Sequence, residues 1–161
     1  MDGFLAVLTV VAALGCGLNA GVFFAFSGFV MKALARLQPA QGIAAMQSIN
    51  LVAVTPAFMA ALFGTAVACV VLGVWALVDG DGAFGPYLLV GSAVYLVGAI
   101  GLTIAYHVPR NNALAAVAPQ DGEAAGRWTR YVAEWTRWNH LRTATSLAAA
   151  VLFTLAFQIS T

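Results

Sequence analysis

Four long stretches without a charged residue dominate the chain. They cover residues 3–31, 37–78, 82–106 and 143–161. A helix needs about 20 apolar residues to cross roughly 30 Å of hydrocarbon, and each stretch is long enough to do so. The pattern therefore predicts four transmembrane helices, at about 4–31, 54–78, 86–107 and 140–158.

Two further segments show a helical pattern outside these spans. Pro39 suits the first turn of a helix, so we predict a helix over 39–51 that leads into the second span. Before the fourth span, aromatic residues recur at steps of three and four, which is the spacing of one helical face. They are Trp128, Tyr131, Trp135 and Trp138. We interpret residues 123–138 as an amphipathic helix that continues into the fourth span.

The basic residues predict the orientation of the bundle. All seven lie in the two connections on one side of it: Lys32, Arg36, Arg110, Arg127, Arg130, Arg137 and Arg142. Cytoplasmic loops are enriched in Lys and Arg, so we expect this side to face the cytoplasm. The opposite connection, 79–86, has no basic residue and is rich in turn formers, which predicts a short external loop. Both termini are then expected outside.

The composition supports a membrane protein and excludes other classes. Hydrophobic residues make up 62% of the chain and charged residues only 8%, whereas a soluble domain carries roughly 25% charged residues. A net charge of +1 argues against nucleic-acid binding. Cys16 and Cys69 lie apart in apolar runs, which favours neither a disulfide scaffold nor a zinc site. We predict an all-α, four-helix integral membrane bundle with cytoplasmic helical extensions, one domain over residues 1–161, in a bacterial cytoplasmic membrane.

Polar residues gather at one predicted membrane level. An unpaired polar group in lipid costs free energy, so each of these side chains should face the bundle interior and find a partner. They are Ser27, Lys32, Asn50, Thr55, His107, Arg110, Asn111, Asn112, Asn139, His140 and Arg142. Asn19 alone lies deep in a span, where we expect an interhelical hydrogen bond.

Two of these residues, His107 and His140, are the only histidines. Imidazole is the side chain best suited to exchange a proton near neutral pH. His140 shares one helical turn with Asn139 and Arg142, a set that can remove a proton and stabilise the resulting oxyanion. A purely structural role for either histidine stays open, as does a haem held between both. No other metal site is expected. For the four aromatic residues, an interfacial belt and the wall of a flat ligand's site are both open.

Four segments carry a resemblance to a known family. They are FSGFVMKAL (26–34), GIAAMQSIN (42–50), VPRNNAL (108–114) and WTRWNHLR (135–142). The chain resembles, over nearly its whole length, the anthrone oxygenase-like family of small four-span membrane proteins. The WxxWNHxR pattern is the most specific part of the resemblance.

The resemblance implies that an anthrone-like polycyclic phenol is oxidised by dioxygen to an anthraquinone without a tightly bound metal or flavin. His140 would match the family histidine, with Trp138, Asn139 and Arg142 beside it. His107 stands where members commonly have Asn, which implies either a second base or a different substrate.

These considerations assign candidate roles. His140 or His107 is the candidate base, and Arg142 and Asn139 are the candidate oxyanion partners. The candidate substrate contacts are Trp135, Trp138, Asn111 and Asn50.

Two other functions stay open. One is a non-enzymatic accessory or assembly subunit of a membrane complex, and the other is a redox protein that binds haem or quinone. No cofactor is expected for the oxygenase. The expected partners are the lipid bilayer, a hydrophobic aromatic small molecule, and further copies of the chain or a larger membrane complex.

Overall fold

A computed structural model describes residues 1–80 and 82–160 and shows, over these residues, five helices. They are α1 (Gly3–Leu34), α2 (Pro39–Val52), α3 (Pro56–Val78), α4 (Gly85–Ala115) and α5 (Ala124–Ser160). All except α2 are long and apolar enough to cross a membrane. The predicted all-α integral membrane bundle of four spans is confirmed.

Local sequence signals set where the helices begin. The Asp2 carboxylate accepts a hydrogen bond of 2.8 Å from the Leu5 backbone N–H and so caps α1. The Thr55 hydroxyl accepts one of 3.2 Å from the Phe58 N–H, and Pro56 follows it as the first residue of α3. Pro39 opens α2 in the same way. These signals therefore separate α2 from α3 at residues 53–55.

The helix of the third predicted span continues past residue 107 to Ala115, through Pro109. A proline inside a helix lacks an N–H and crowds the preceding turn. Here a wider π-helical turn, Thr103–His107, comes immediately before that segment. Helices absorb such a disruption by local widening, so Val108-Pro109 does not end α4.

The bundle has two hydrophobic cores. The first lies among the four long helices and includes Leu72, Leu88, Tyr95 and Phe153. The second lies at the end of the bundle where α2 packs on the start of α5, and its members include Ile43, Met46 and Leu114. Three of the aromatic residues of α5 belong to this second core and are buried: Trp128, Tyr131 and Trp135. The alternative that these three side chains form a belt at the membrane–water interface is therefore wrong, because α2 and the end of α4 cover them.

Asn19 joins α1 to two other helices in the interior of the bundle. Its Nδ2 lies 3.0 Å from the Ala61 carbonyl on α3 and 3.0 Å from the Tyr95 hydroxyl on α4. Tyr95 in turn donates to the Leu62 carbonyl at 3.1 Å. Ala61 and Leu62 belong to a π-helical turn, Ala60–Gly64, whose carbonyls are thus bound from neighbouring helices. The predicted interhelical hydrogen bond of Asn19 is confirmed.

Candidate functional site

A cavity of about 230 Å³ lies where the two cores meet. All five helices contribute to it, and most of its lining is apolar. The side chains that surround it are Val22, Phe23, Phe26, Met46, Ile49, Asn50, Ala53, Val54, Phe58, Met59, Leu62, Phe63, Thr103, His107, Val108, Asn111, Trp135, Asn139 and Arg142. An apolar cavity with a few convergent polar groups is the usual form of a small-molecule site.

Six of the eight side chains predicted for the site line this cavity. They are His107, Arg142, Asn139, Trp135, Asn111 and Asn50. The structure thus brings together polar residues from α2, α4 and α5 that are up to 92 positions apart in sequence, between Asn50 and Arg142. The two predicted residues that do not line the cavity are His140 and Trp138.

His140 lies on another side of α5. Its side chain is exposed and faces a surface groove beside Lys32 and Arg137. Successive helix positions are turned by about 100°, so the residue between two inward-facing positions such as Asn139 and Arg142 points elsewhere. The expectation that His140 lies in the pocket was wrong. The two histidines face different spaces, so one haem cannot be held between them within this chain.

Trp138 is half-buried outside the cavity. Its ring packs on Tyr106 of α4, with ring centroids 4.7 Å apart. This contact joins α4 to α5 but presents no face to the cavity. Of the two tryptophans predicted as walls, only Trp135 forms one.

His107 is the cavity side chain that can act as a base and has free hydrogen-bonding capacity. It is only 2% exposed, and neither ring nitrogen makes a hydrogen bond of good geometry within the described part of the chain. The Trp138 backbone approaches the ring without meeting that geometry. Trp135 holds the imidazole edge-on, with ring centroids 5.0 Å apart. The ring is thus fixed by packing while its nitrogens stay available to a ligand.

Arg142 brings a buried positive charge to the same cavity. Its side chain is 6% exposed, and its guanidinium lies over the Phe23 ring, 3.8 Å from the ring centre. Among residues 1–80 and 82–160, the ion pairs join Arg110 to Glu134 and Arg127 to Glu123, and none involves Arg142. A buried cation without a carboxylate is costly in a membrane protein and marks a functional site by default.

Asn139 positions Arg142 rather than a ligand. Its amide nitrogen donates to the Phe23 carbonyl at 2.7 Å and to the Ser27 hydroxyl at 2.6 Å, and so ties α5 to α1. Its oxygen accepts a hydrogen bond of 3.2 Å from Arg142. Since both amide hydrogens are used, Asn139 has none left to donate to an oxyanion, unlike the predicted role.

The two other asparagines of the cavity, Asn111 and Asn50, differ in whether their side chains are free to bind a ligand. The Asn111 side-chain oxygen accepts hydrogen bonds from the Tyr131 hydroxyl at 2.8 Å and from the Trp135 indole N–H at 3.0 Å. Asn111 thus fixes the orientation of the Trp135 wall. The Asn50 amide nitrogen is buried and lies near the Tyr131 hydroxyl, but within the described residues it makes no hydrogen bond of good geometry. It is available to a ligand.

Residues that sequence reasoning did not select complete the cavity. Phe23 supports the Arg142 guanidinium, and Ser27 anchors Asn139. Three π-helical turns contribute to the lining through Phe26, Leu62 and His107. Such turns occur frequently at functional sites. One signal was present in the sequence: the inward stripe of Trp128, Tyr131 and Trp135 continues at the same spacing to Asn139 and Arg142 and passes His140 by.

Metal ligands do not gather at this cavity. The described residues contain no group of three or more His, Cys, Asp or Glu side chains placed to hold a metal ion. Cys16 and Cys69 are buried as free thiols in the other core.

Comparison with known proteins gives one match. A family model described as Anthrone oxygenase matches residues 55–152, which is more than half of the chain. The matched region includes α3, α4 and the part of α5 that lines the cavity. No curated protein and no solved structure matches the chain.

Proposed function

Since the chain belongs to the anthrone oxygenase family, we propose that it is a membrane-embedded oxygenase that oxidises an anthrone-like polycyclic phenol with dioxygen. The reaction takes place in the cavity beside His107 and Arg142. One observation carries this proposal: a buried imidazole with unbonded nitrogens and a buried guanidinium without a carboxylate partner open onto the same apolar cavity.

The first step is removal of a proton from carbon. An anthrone has a methylene group between two aromatic rings and opposite a carbonyl group, so loss of a methylene proton gives an enolate. His107 accepts this proton, because its ring nitrogens are free and the other basic side chain of the cavity, Arg142, is a hydrogen-bond donor only. Arg142 offsets the negative charge that develops on the carbonyl oxygen. Asn50 supplies a further N–H donor.

The enolate then supplies the electrons that reduce oxygen. Its carbon forms a bond to dioxygen and gives a peroxide, and loss of water from that peroxide leaves a second carbonyl group. In balance, a CH₂ group and one O₂ molecule become a C=O group and one water molecule. The protein itself contributes a base, a counter-charge and a shaped apolar space, and the substrate is the reductant.

The walls of the cavity suit a flat aromatic molecule. Trp135 and Phe26 lie with ring centroids 5.8 Å apart, and Phe58 and Met59 line the cavity from α3. Trp135 is held by Asn111, so this wall is fixed before a ligand enters. A rigid wall lowers the entropic cost of binding.

The rim of the cavity favours entry from the bilayer. Val54 and Phe63 line the cavity yet are 68% and 45% exposed, and Val108 is exposed beside them. Exposed apolar side chains around an opening suit a lipid-facing mouth. A polycyclic phenol partitions into lipid and would reach His107 directly from there. The membrane in this proposal is the bacterial cytoplasmic membrane.

The test is protein-dependent quinone formation. Purified protein in mild detergent is mixed with anthrone under air, and quinone absorbance is followed against a protein-free blank. We expect quinone formation by wild type to exceed the blank. In His107→Gln the rate above the blank should be at least about 100-fold lower than in wild type, because a general base usually contributes that factor. The matched control is His140→Gln, which removes the other imidazole outside the cavity and should keep wild-type turnover.

Two results would contradict the proposal. If folded His107→Gln keeps the wild-type rate, His107 is not the base. If wild type never exceeds the blank and instead purifies with a constant larger complex, the chain is an accessory subunit.

A further inference from the structure

A surface groove between α1 and α5 brings cationic side chains together away from the cavity. It is lined by Met31, Lys32, Ala35, Val132, Ala133, Thr136, Arg137 and His140. We call these residues the headgroup groove. Its floor is apolar, and its three ionisable side chains, Lys32, Arg137 and His140, are all exposed.

Within residues 1–80 and 82–160, no acidic side chain lines this groove. The carboxylates on and just before α5 are engaged elsewhere: Glu134 pairs with Arg110 at 3.3 Å, and Glu123 pairs with Arg127 at 2.9 Å. The Thr136 hydroxyl oxygen is buried in the groove wall, and the described residues give it no hydrogen-bond partner. Two permanent cations and an imidazole thus line one groove beside a buried hydroxyl, and the two cations give the groove a positive potential.

The groove lies where the polar and apolar parts of both helices meet. On α1, Lys32 is the first charged residue after the long uncharged stretch. On α5, Arg142 is the last charged residue before such a stretch, and it lies two positions beyond His140. Toward the membrane, Phe29 precedes Lys32 by one helical turn, and Leu147 follows His140 by two. Both side chains are exposed and apolar. A molecule in the groove would therefore meet cations at one end and hydrocarbon-facing side chains at the other.

We propose that the headgroup groove binds the phosphate of an anionic phospholipid, with the acyl chains extending along Phe29 and Leu147. The charge, the unpartnered hydroxyl and the position at the membrane boundary all match this ligand. The site is separate from the cavity of His107 and does not depend on the reaction proposed there. It also gives His140 a role outside that reaction.

The experiment measures lipid retention by native mass spectrometry of the detergent-purified protein. Phosphatidylglycerol or phosphatidylcholine is added, and the lipid-bound fraction is titrated. The test variant is Lys32→Gln with Arg137→Gln. The matched control is Arg36→Gln with Arg130→Gln, which removes two exposed cations from the same two regions outside the groove.

We expect phosphatidylglycerol to bind wild type and the control variant in preference to phosphatidylcholine. The groove variant should bind it at least about fivefold more weakly than the control, since one cation near a lipid surface contributes about that factor. Equal affinity in the two variants would overturn the proposal, as would equal binding of phosphatidylcholine. Displacement of the lipid by millimolar inorganic phosphate would assign the groove to a free anion instead.

Discussion

At the scale of single residues, Arg142 carries a charge that the fold does not balance. Its guanidinium is held by the Phe23 ring and the Asn139 oxygen, and the ion pairs of the described residues leave it out. A buried charge without an opposite partner lowers stability. Such a residue persists when function requires it, which agrees with a counter-charge for a substrate oxyanion.

The substitution Arg142→Met separates function from stability. We expect turnover to fall about 100- to 1,000-fold, the usual effect of losing an oxyanion donor. The thermal midpoint should stay the same or rise, because an apolar side chain of similar length replaces a desolvated charge. Turnover and thermal unfolding measured on one preparation check this. A strongly lowered midpoint would assign Arg142 a structural role instead.

The two histidines show how far the sequence could be interpreted residue by residue. The motif WNHLR placed Asn139, His140 and Arg142 in one helical turn, but it did not show which of them faces inward. Extension of the stripe Trp128, Tyr131 and Trp135 selects Asn139 and Arg142. The partner of Arg142 across the bundle, Phe23, is 119 positions away, and no pattern within α5 predicts it.

At the scale of elements, α2 shapes one side of the cavity by packing on α5. Gly42 makes this possible: a Cβ atom there would come within 2.7 Å of the Trp128 ring. Trp128 is itself buried in the second core, so it has little room to move. The close approach lets Met46, Ile49 and Asn50 reach the cavity.

Gly42→Ala should therefore destabilise the protein by about 1–3 kcal/mol, the range for overpacking a core. The control is Gly126→Ala on α5, where an added Cβ meets nothing within 4 Å. This control should be neutral or stabilising by up to about 1 kcal/mol, because alanine favours helices over glycine. Chemical unfolding of both variants in the same detergent measures the difference. Equal stabilities would show that α2 does not pack closely on Trp128.

The spans themselves were predictable, whereas their irregularities were not. Uncharged length alone indicates α1, α3, α4 and α5, because lipid imposes that composition. The third span was predicted to end at about residue 107, yet its helix continues through Pro109 to Ala115 after a π-helical turn. Such turns depend on tertiary partners, as the Asn19 and Tyr95 contacts to the Ala60–Gly64 turn illustrate. They carry no periodic signal of their own.

At the scale of the whole molecule, the orientation in the membrane follows from the distribution of the basic residues. The seven cations predict that α2 and the headgroup groove lie on the cytoplasmic side, and that the lipid-facing cavity mouth opens in the cytoplasmic half of the bilayer. Gly82 and Gly122 lie in the connections predicted for opposite sides, and both are exposed.

Cysteine labelling in intact cells tests this orientation. A membrane-impermeant maleimide should label Gly82→Cys and leave Gly122→Cys unlabelled until the cells are opened. Cys16 and Cys69 are fully buried, so wild type should show little background. The reverse labelling pattern would place the cavity mouth on the external side and contradict the proposed topology.

The central claim is that this chain transfers oxygen from dioxygen to the methylene carbon of an anthrone within the cavity, and one measurement addresses it directly. Wild-type protein turns over anthrone under isotopically labelled dioxygen, and mass spectrometry counts labelled atoms in the quinone formed above a protein-free blank. The account predicts one labelled oxygen per quinone in that excess, and an excess that disappears in His107→Gln. A protein-dependent quinone without label, or no excess over the blank, would contradict it.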